Sequence, residues 1–369
     1  MSDSLLITLA LTYIGGLLLF VPGVLRAISV KRKKSLSNSE LPSITVIVCA
    51  RNEENSISKC ISSLAALDYP IEKIELLIVN DHSTDRTGEI LSEWKAKLPN
   101  LLILDTTEND TGMHGKVNAL TQGFDVATGE IVLMTDADSR VPLGWAREYV
   151  SWYDEKTGMV ASITSIDGGN VFDACHSVEM VEVLALGMSG INFNIPTSII
   201  GNNFSVRRSV YESLGGYRTV AFSVTEDLAL FQAVWKSGWK VRSKVSRSLA
   251  VLTDPTPNFK TWWRQKQRWV QGGKSIGWPG HVIIGIGFIG AALLILSLFS
   301  SSVSFGLMMF GLKCVTDLLI LVPTLNSMGR NRLLLFLPLY QLYLLFFLLC
   351  VPILYFQRDV KWKGRVYHS

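Results

Sequence analysis

Residues 131–138 read Ile131-Val132-Leu133-Met134-Thr135-Asp136-Ala137-Asp138, a short apolar run that ends in two carboxylates one residue apart. A run of this length without helical spacing predicts a strand buried on both faces. The same grammar recurs upstream. Ile44–Cys49 is followed by Ala50-Arg51-Asn52-Glu53-Glu54, Ile74–Val79 by Asn80-Asp81-His82-Ser83-Thr84-Asp85, and Leu101–Leu104 supplies one more run. Helical stretches near 54–67, 85–97 and 114–127 separate them. Strands joined by single helices imply right-handed crossovers and a parallel sheet covered on both faces. The expected fold is therefore a Rossmann-like, mostly parallel α/β domain. Ligands of such sheets bind beyond the carboxyl ends of the strands, so the polar residues after each run are the candidates for chemistry.

Those strand ends are acidic. No G-x-G-x-x-G follows the first run and no G-x-x-x-x-G-K-[ST] occurs, which argues against dinucleotide and P-loop chemistry. An acid after a strand commonly caps the next helix, as expected for Asp85. Three acidic strand ends on one rim, with Arg51 and Lys116 nearby, can do more. Their oxygen ligands suit Mg²⁺ or Mn²⁺, ions that also bind substrate phosphates.

Working outward, the chain has 369 residues, 48% hydrophobic and only 18% charged, and its mean hydropathy is +0.30. That is too apolar for an ordinary soluble protein of this size. Leu5–Leu25 carries no charge and is long enough to cross about 30 Å of hydrocarbon. A cleaved signal peptide fits less well, because the basic residues follow the run instead of preceding it. Lys31–Lys34 at its end place the next domain in the cytoplasm by the positive-inside rule. Between Val282 and Gly329 only Lys313 and Asp317 are charged. Two helices near 282–300 and 303–325 are expected, with that pair neutralising itself four residues apart. A last run, Leu333–Phe356, contains Pro338 and Pro352. Three crossings after a cytoplasmic domain would leave the basic tail outside, against the positive-inside rule. Either the tail is an exception or the last segment is broken by its prolines and re-enters.

The net charge of +4 hides a segregation. Residues 35–257 sum to −10, while the basic excess lies in 26–34, 258–281, Arg330 with Arg332, and the tail 357–369. An acidic central domain excludes nucleic acid as its main ligand, since that needs a basic groove. The five cysteines are scattered and form no C-x-x-C pair, so neither a disulfide framework nor a zinc site is expected. The stretch 258–281 interleaves four tryptophans with five cations and no acid, which suits a helix in the headgroup layer. Gly201-Asn202-Asn203 with Arg207 and Arg208 is a candidate lining of an acceptor side, with a plain turn as the alternative.

Two further motifs complete the pattern: Thr225-Glu226-Asp227 at the start of an amphipathic helix, and Gln265-Lys266-Gln267-Arg268-Trp269 before the second apolar segment. With Asp81 and the D-x-D at 136–138, they stand in the order found in membrane-bound family 2 glycosyltransferases of the GT-A fold. The chain resembles that group, which includes cellulose, chitin and hyaluronan synthases and ceramide glucosyltransferase. The resemblance covers residues 43–270. The tail, Trp362-Lys363-Gly364-Arg365-Val366-Tyr367, is similar to the endings of some bacterial enzymes acting on lipid acceptors.

The resemblance implies that Ala50, Glu53 and Asp81 hold the nucleoside, with Arg51 also on the donor side and Lys116 near the base or diphosphate. Asp136 would contact the ribose or donor sugar and share the metal site of Asp138. Asp227 would be the general base. Gln265, Trp269 and Glu226 would gate the acceptor side, and Arg268 would face the pyrophosphate. Inverting sugar transfer needs one base for the acceptor hydroxyl and a positive charge for the leaving diphosphate, whereas a glycosidase pairs two carboxylates and needs no phosphate site. The expected organisation is an anchor at 1–30, a GT-A domain at 31–257, an interfacial segment at 258–281, about three membrane segments at 282–356 and a basic tail at 357–369. The expected enzyme sits in a bacterial inner membrane with its catalytic domain cytoplasmic. It would use Mg²⁺ or Mn²⁺ and move a sugar from a nucleotide-sugar, a UDP-sugar for preference, to a membrane lipid or lipid-linked acceptor. The alternatives are a processive polysaccharide synthase, and a membrane scaffold whose degenerate domain merely binds nucleotide.

Overall fold

The computed structural model describes residues 3–31, 36–107, 113–220, 223, 225–297, 299, 302–357, 359–362 and 365–368. Arg32, Lys33 and Lys34 of the first basic cluster, and Lys363 and Gly364 of the tail motif, lie outside the described residues.

An apolar helix, α1 (Asp3–Ser29), leads into the sheet domain. There the four expected strands are β1 (Ile44–Ala50), β2 (Ile74–Asn80), β3 (Leu101–Asp105) and β4 (Ile131–Asp136), separated by α2 (Ile57–Ala65), α3 (Thr87–Lys95) and α4 (Lys116–Val126). A second half follows: β5 (Ser139–Arg140), α5 (Trp145–Val150), β6 (Thr157–Ala161), β7 (Thr164–Ile166), α6 (Val171–Asn192), β8 (Phe204–Arg207), α7 (Arg208–Ser213), α8 (Glu226–Lys236), β9 (Lys240–Ser243) and β10 (Val251–Thr253). The chain ends with α9 (Phe259–Gly273), α10 (Trp278–Ser297), α11 (Val303–Met328), α12 (Leu337–Phe356) and the hairpin β11 (Asp359–Trp362) and β12 (Arg365–His368).

Seven strands form one mixed, mostly parallel sheet in the order β3-β2-β1-β4-β8-β6-β9. Strands β1 to β4 are mutually parallel, and β8 runs antiparallel to β4 and β6. The register levels their ends: Ala50 lies opposite Asn80, Asn80 opposite Asp105, and Cys49 opposite Asp136. One carboxyl rim results. A small second sheet, β5-β10-β7, stands beside it.

Apolar alternation puts two cores on the two faces. One joins α2, α3 and α5 through Ile57, Ile61, Leu91, Trp145 and Tyr149. The other runs from α4 and α8 through α6 into Val24 and Ala27 of α1 and Ile320 and Leu325 of α11. Burial of each such side chain contributes roughly 1.5–3 kcal/mol, so the sheet domain and the apolar helices share one continuous core. Helix α6 is the link. Asn170 caps it by accepting the Asp173 N–H at 2.9 Å, and it is buried over nearly all of its 22 residues.

Among the described residues four helices are long and apolar enough to cross a membrane: Ser4–Ser29, Trp278–Ser297, Val303–Met328 and Asn331–Phe356. The stretch 258–281 holds α9 (Phe259–Gly273) and the first residues of α10, which begins at Trp278. Pro338 stands in the first turn of α12, where its missing N–H costs nothing, and the helix continues unbroken through Pro352. The break at the prolines does not occur.

Candidate active site

The turn after β1 is locked to the turn after β2. Asn52 and His82 both take positive φ, 54° each, a conformation Asn tolerates better than most residues. Asn52 Oδ1 accepts the Thr84 N–H at 2.8 Å, and Ser83 Oγ accepts the Asn52 N–H at 3.1 Å. The Asp81 N–H donates to the Ala50 carbonyl at 2.8 Å. Arg51 Nη1 donates to the Asp81 carbonyl at 3.0 Å and lies 3.6 Å from its carboxylate. Asp85 accepts the N–H groups of Thr87 (3.0 Å) and Glu54 (3.1 Å), the capping role its position suggests.

Beside this rim opens a cavity of about 1000 Å³. Ala50, Arg51, Glu53 and Asp81 line one wall, Lys116, Asp136, Asp138 and Glu226 another, and Gln265 and Arg268 of α9 a third. Lys116, the first residue of α4, bridges two acids: its Nζ lies 2.7 Å from Asp136 Oδ1 and 2.9 Å from Glu226 Oε1. Burial alone would lower its pKa, but Asp136 and then Glu226 outweigh this and hold it well above its ordinary value. Asp138 Oδ1 accepts the hydroxyls of Ser139 and Thr253, each at 3.3 Å.

Glu226 and Asp227 differ sharply. Burial would raise the Glu226 pKa, but Lys116 and Arg268 outweigh it and keep the carboxyl ionised below its usual range. Burial, and next the Glu226 charge, push Asp227 up to about 6. Asp227 lies outside the cavity wall, half-buried beside Gly201, where a Cβ would stand 3.0 Å from its Oδ2. Its Oδ1 accepts the Leu228 N–H at 2.8 Å.

Helix α9 divides its motif between two faces. Thr261, Gln265 and Arg268 line the cavity, and Gln265 Oε1 is buried with no partner among the described residues. Trp262, Lys266 and Trp269 point the other way, toward α6 and α12. Trp269 lies under the Lys266 ammonium at 4.5 Å and 6.2 Å from the His176 ring, so the structure places it off the cavity.

Sequence reasoning missed several residues. Arg140 on β5 bridges Asp254 (2.5 Å) and Asp167 (2.9 Å) at the cavity mouth. Asp254 follows β10 and obeys the same strand-end rule, but the run before it is only three residues long. The expected acceptor role is corrected for Asn202, Asn203, Arg207 and Arg208, while Gly201 stands beside Asp227. Asn203 Oδ1 accepts Trp145 Nε1 (3.0 Å) and Tyr149 Oη (2.7 Å), its Nδ2 donates to two carbonyls, and Asn202 is buried beside Thr164. Arg207 and Arg208 pair with Glu130 and Glu212 at the opposite end of β4.

Comparison with known proteins places these features. The family described as Glycosyl transferase family 21 matches residues 11–369. The chain is 32% identical over 245 residues to a probable glycosyltransferase, YdaM, of Bacillus subtilis (64% of this chain, 56% of that one). It is 29% identical to a beta-monoglucosyldiacylglycerol synthase of Synechocystis (63% and 48%), and 26% identical to a poly-beta-1,6-N-acetyl-D-glucosamine synthase of Staphylococcus aureus (67% and 58%). The chain spans about half the length of the curated relatives it matches. In fold it is similar to a mannosyltransferase of Pyrobaculum calidifontis, solved with GDP-Man and Mn²⁺, with a TM-score of 0.59, 20% identity and coverage of 93% of this chain and 99% of that one.

Proposed function

Because the chain belongs to glycosyl transferase family 21, we propose that it is an inverting, metal-dependent transferase moving a sugar from a UDP-sugar to a hydroxyl of a membrane lipid or lipid-linked acceptor. One observation carries this reading. A cavity of nucleotide-sugar size brings Asp136, Asp138, Lys116, Gln265 and Arg268 together, and the helix that supplies Gln265 and Arg268 packs against α12, one of the apolar helices long enough to cross a membrane.

Ala50, Arg51, Glu53 and Asp81 form the nucleoside wall. Lys116 and Arg268 offset the charge that develops on the departing diphosphate. The rim fits a hard divalent cation only with help. Among the described residues no group of three acidic, histidine or cysteine side chains is placed to hold a metal ion, and Asp136 Oδ1 is held by Lys116. Asp138 would then be the main protein ligand of Mg²⁺ or Mn²⁺, with Asp136 secondary, since such ions also bind substrate phosphates and water. Such a cation, when bound, supplies Lewis-acid neutralisation of the leaving group.

Asp227 takes the proton of the acceptor hydroxyl. The oxygen forms its bond to the anomeric carbon from the face opposite the diphosphate, and the carbon–oxygen bond to phosphate breaks with its electron pair leaving on the nucleoside diphosphate. Glu226 stays ionised and positions Lys116. Gln265 offers an acceptor oxygen to the sugar. A relative named for glucosyldiacylglycerol synthesis and a structural neighbour holding GDP-Man and Mn²⁺ support the acceptor class, donor class and metal. The basic cluster that follows α1 in sequence supports a cytoplasmic catalytic domain, and the bacterial relatives support a bacterial cell membrane.

The poly-N-acetylglucosamine synthase among the relatives favours a second reading, processive synthesis. Membranes containing the protein, incubated with a panel of labelled nucleotide-sugars, separate the two. A discrete lipid-soluble product is expected, a ladder would establish a polymerase, and no transfer from any donor would refute both.

A further inference from the structure

Both ends of α12 return to the sheet domain. At the end of α11 and in the turn that leads to α12, Ser327 donates to the Val245 carbonyl at 3.0 Å, and Arg330 donates to Asp167 Oδ1 at 3.2 Å and to the Ile166 carbonyl at 3.0 Å. At its far end, the Gln271 amide donates to the carbonyls of Leu354 (2.8 Å), Tyr355 (3.0 Å) and Gln357 (2.6 Å). That part of the chain is itself fixed to the domain. Gly272 is so close to Thr225 that a Cβ would stand 2.3 Å from it, and Gln232 of α8 donates to the Ser275 carbonyl at 2.9 Å. A helix of 20 residues is about 30 Å long, the thickness of the hydrocarbon core. If α12 crossed, one of its ends would stand on the far face, out of reach of the domain.

The other three apolar helices behave differently. Their remote parts meet one another in a separate cluster of Leu6, Ala10, Leu293 and Met309. Their near ends return to the domain, where the Val245 N–H donates to the Ala27 carbonyl at 3.0 Å and Lys244 Nζ to the Val30 carbonyl at 2.9 Å.

We propose that α12 does not cross the membrane but lies in the plane of the domain-side leaflet alongside α9, with an apolar stripe seated in the acyl layer. The stripe is Leu339, Leu342, Phe346, Leu349, Ile353 and Phe356, all exposed and spaced by three or four residues. The opposite face is clamped by polar contacts. Gln341 donates to Asp317 at 2.7 Å, Tyr343 Oη donates to Glu179 at 2.7 Å and accepts Trp262 Nε1 at 3.0 Å, and Tyr340 donates to Glu182. Acyl chains are the occupant that fits: the stripe carries no charge, while exposed Arg332 before it and the basic residues of the tail after it in sequence match anionic headgroups.

Three crossings also remove the charge conflict of the sequence. The segments at the remote ends, Met1–Ser4 and 298–302, contain no Lys or Arg, and every basic cluster falls on the domain side. The inference rests on the chain being membrane-bound, but not on which side the domain faces.

The test uses the full chain in cells and a membrane-impermeant maleimide, with the wild-type chain setting the background from its five cysteines. Ser302→Cys, Arg332→Cys and a cysteine appended after Ser369 are compared, each checked for transferase activity. Labelling of Ser302→Cys alone in intact cells, and of the other two only after permeabilisation, is the expected result. Labelling of the appended cysteine but not of Arg332→Cys in intact cells would overturn the in-plane helix. Labelling of both with Ser302→Cys protected would uphold the helix and overturn the cytoplasmic placement instead.

Discussion

Glu226 and Asp227 are adjacent in the chain, yet their carboxyls are held apart in acidity: Glu226 stays ionised against Lys116, and its charge, added to burial, lifts Asp227 to about 6. Paired acids driven apart in this way mark acid–base assignments. As a base, Asp227 must be ionised, so kcat should rise with pH through about 6 and fall about tenfold per unit below it. The stability sign is opposite. A raised folded pKa contributes stability present below the unfolded value of about 3.9 and lost as pH rises through about 6. Asp227→Asn should therefore be no less stable than wild type at pH 7.5, bind nucleoside diphosphate normally, and turn over roughly 10²–10⁴-fold more slowly. Thermal melts, nucleotide titration and rates on one preparation check it; parallel loss of affinity and rate would remove Asp227 from the base role.

Lys116 holds the acidic rim together. Lys116→Met leaves Asp136 and Glu226 facing each other without a cation, and nucleotide affinity should fall at least tenfold. Removing one partner of a fully buried pair costs about 3–5 kcal/mol. The Lys116 side chain is 31% exposed, so solvent screening should reduce this loss to about 1–2 kcal/mol. Lys116→Arg keeps the charge and should recover stability more fully than affinity. Equal affinity in all three proteins, by nucleotide titration, would count against a donor role.

Much of this was legible in the sequence. Short apolar runs ending in acids named β1, β2 and β4 because each strand is long and buried on both faces. The second half was not, because β5, β7 and β10 are two or three residues long and give no periodic signal. Helix α6 hides for another reason. Asp173, His176, Glu179 and Glu182 recur every three residues and look like a solvated face, but α9, α11 and α12 bury them. The two faces of α9 follow from helical spacing, since Gln265 and Arg268 share one side and Lys266 and Trp269 the other. Which side meets the cavity required the fold.

The metal assignment makes a narrower claim. On this reading Asp138 would be the main ligand, with Asp136 also engaged by Lys116, so Asp138→Ala should lose transfer at any Mg²⁺ or Mn²⁺ concentration. Asp136→Ala should keep metal-dependent transfer with a weakened donor KM. Wild-type rates in excess EDTA would end the metal reading, and identical behaviour of the two variants would end the division of labour between them.

The two faces of α9 predict separable defects in its two motif residues. Arg268 lines the cavity and lowers the Glu226 pKa, so Arg268→Ala should depress transfer with every donor, because all share the diphosphate. Trp269 lies under the Lys266 ammonium and beside the tilted His176 ring, between α9 and α6. Its truncation removes a cation–π contact worth about 2 kcal/mol where desolvated and loosens Lys266, whose ammonium also lies 4.8 Å over Phe347 of α12. Trp269→Ala should therefore leave nucleotide affinity within about twofold of wild type while raising the acceptor concentration needed for half-maximal rate. Donor and acceptor titrations at equal membrane-protein levels distinguish the two, with wild-type kinetics in both variants returning α9 to a purely anchoring role.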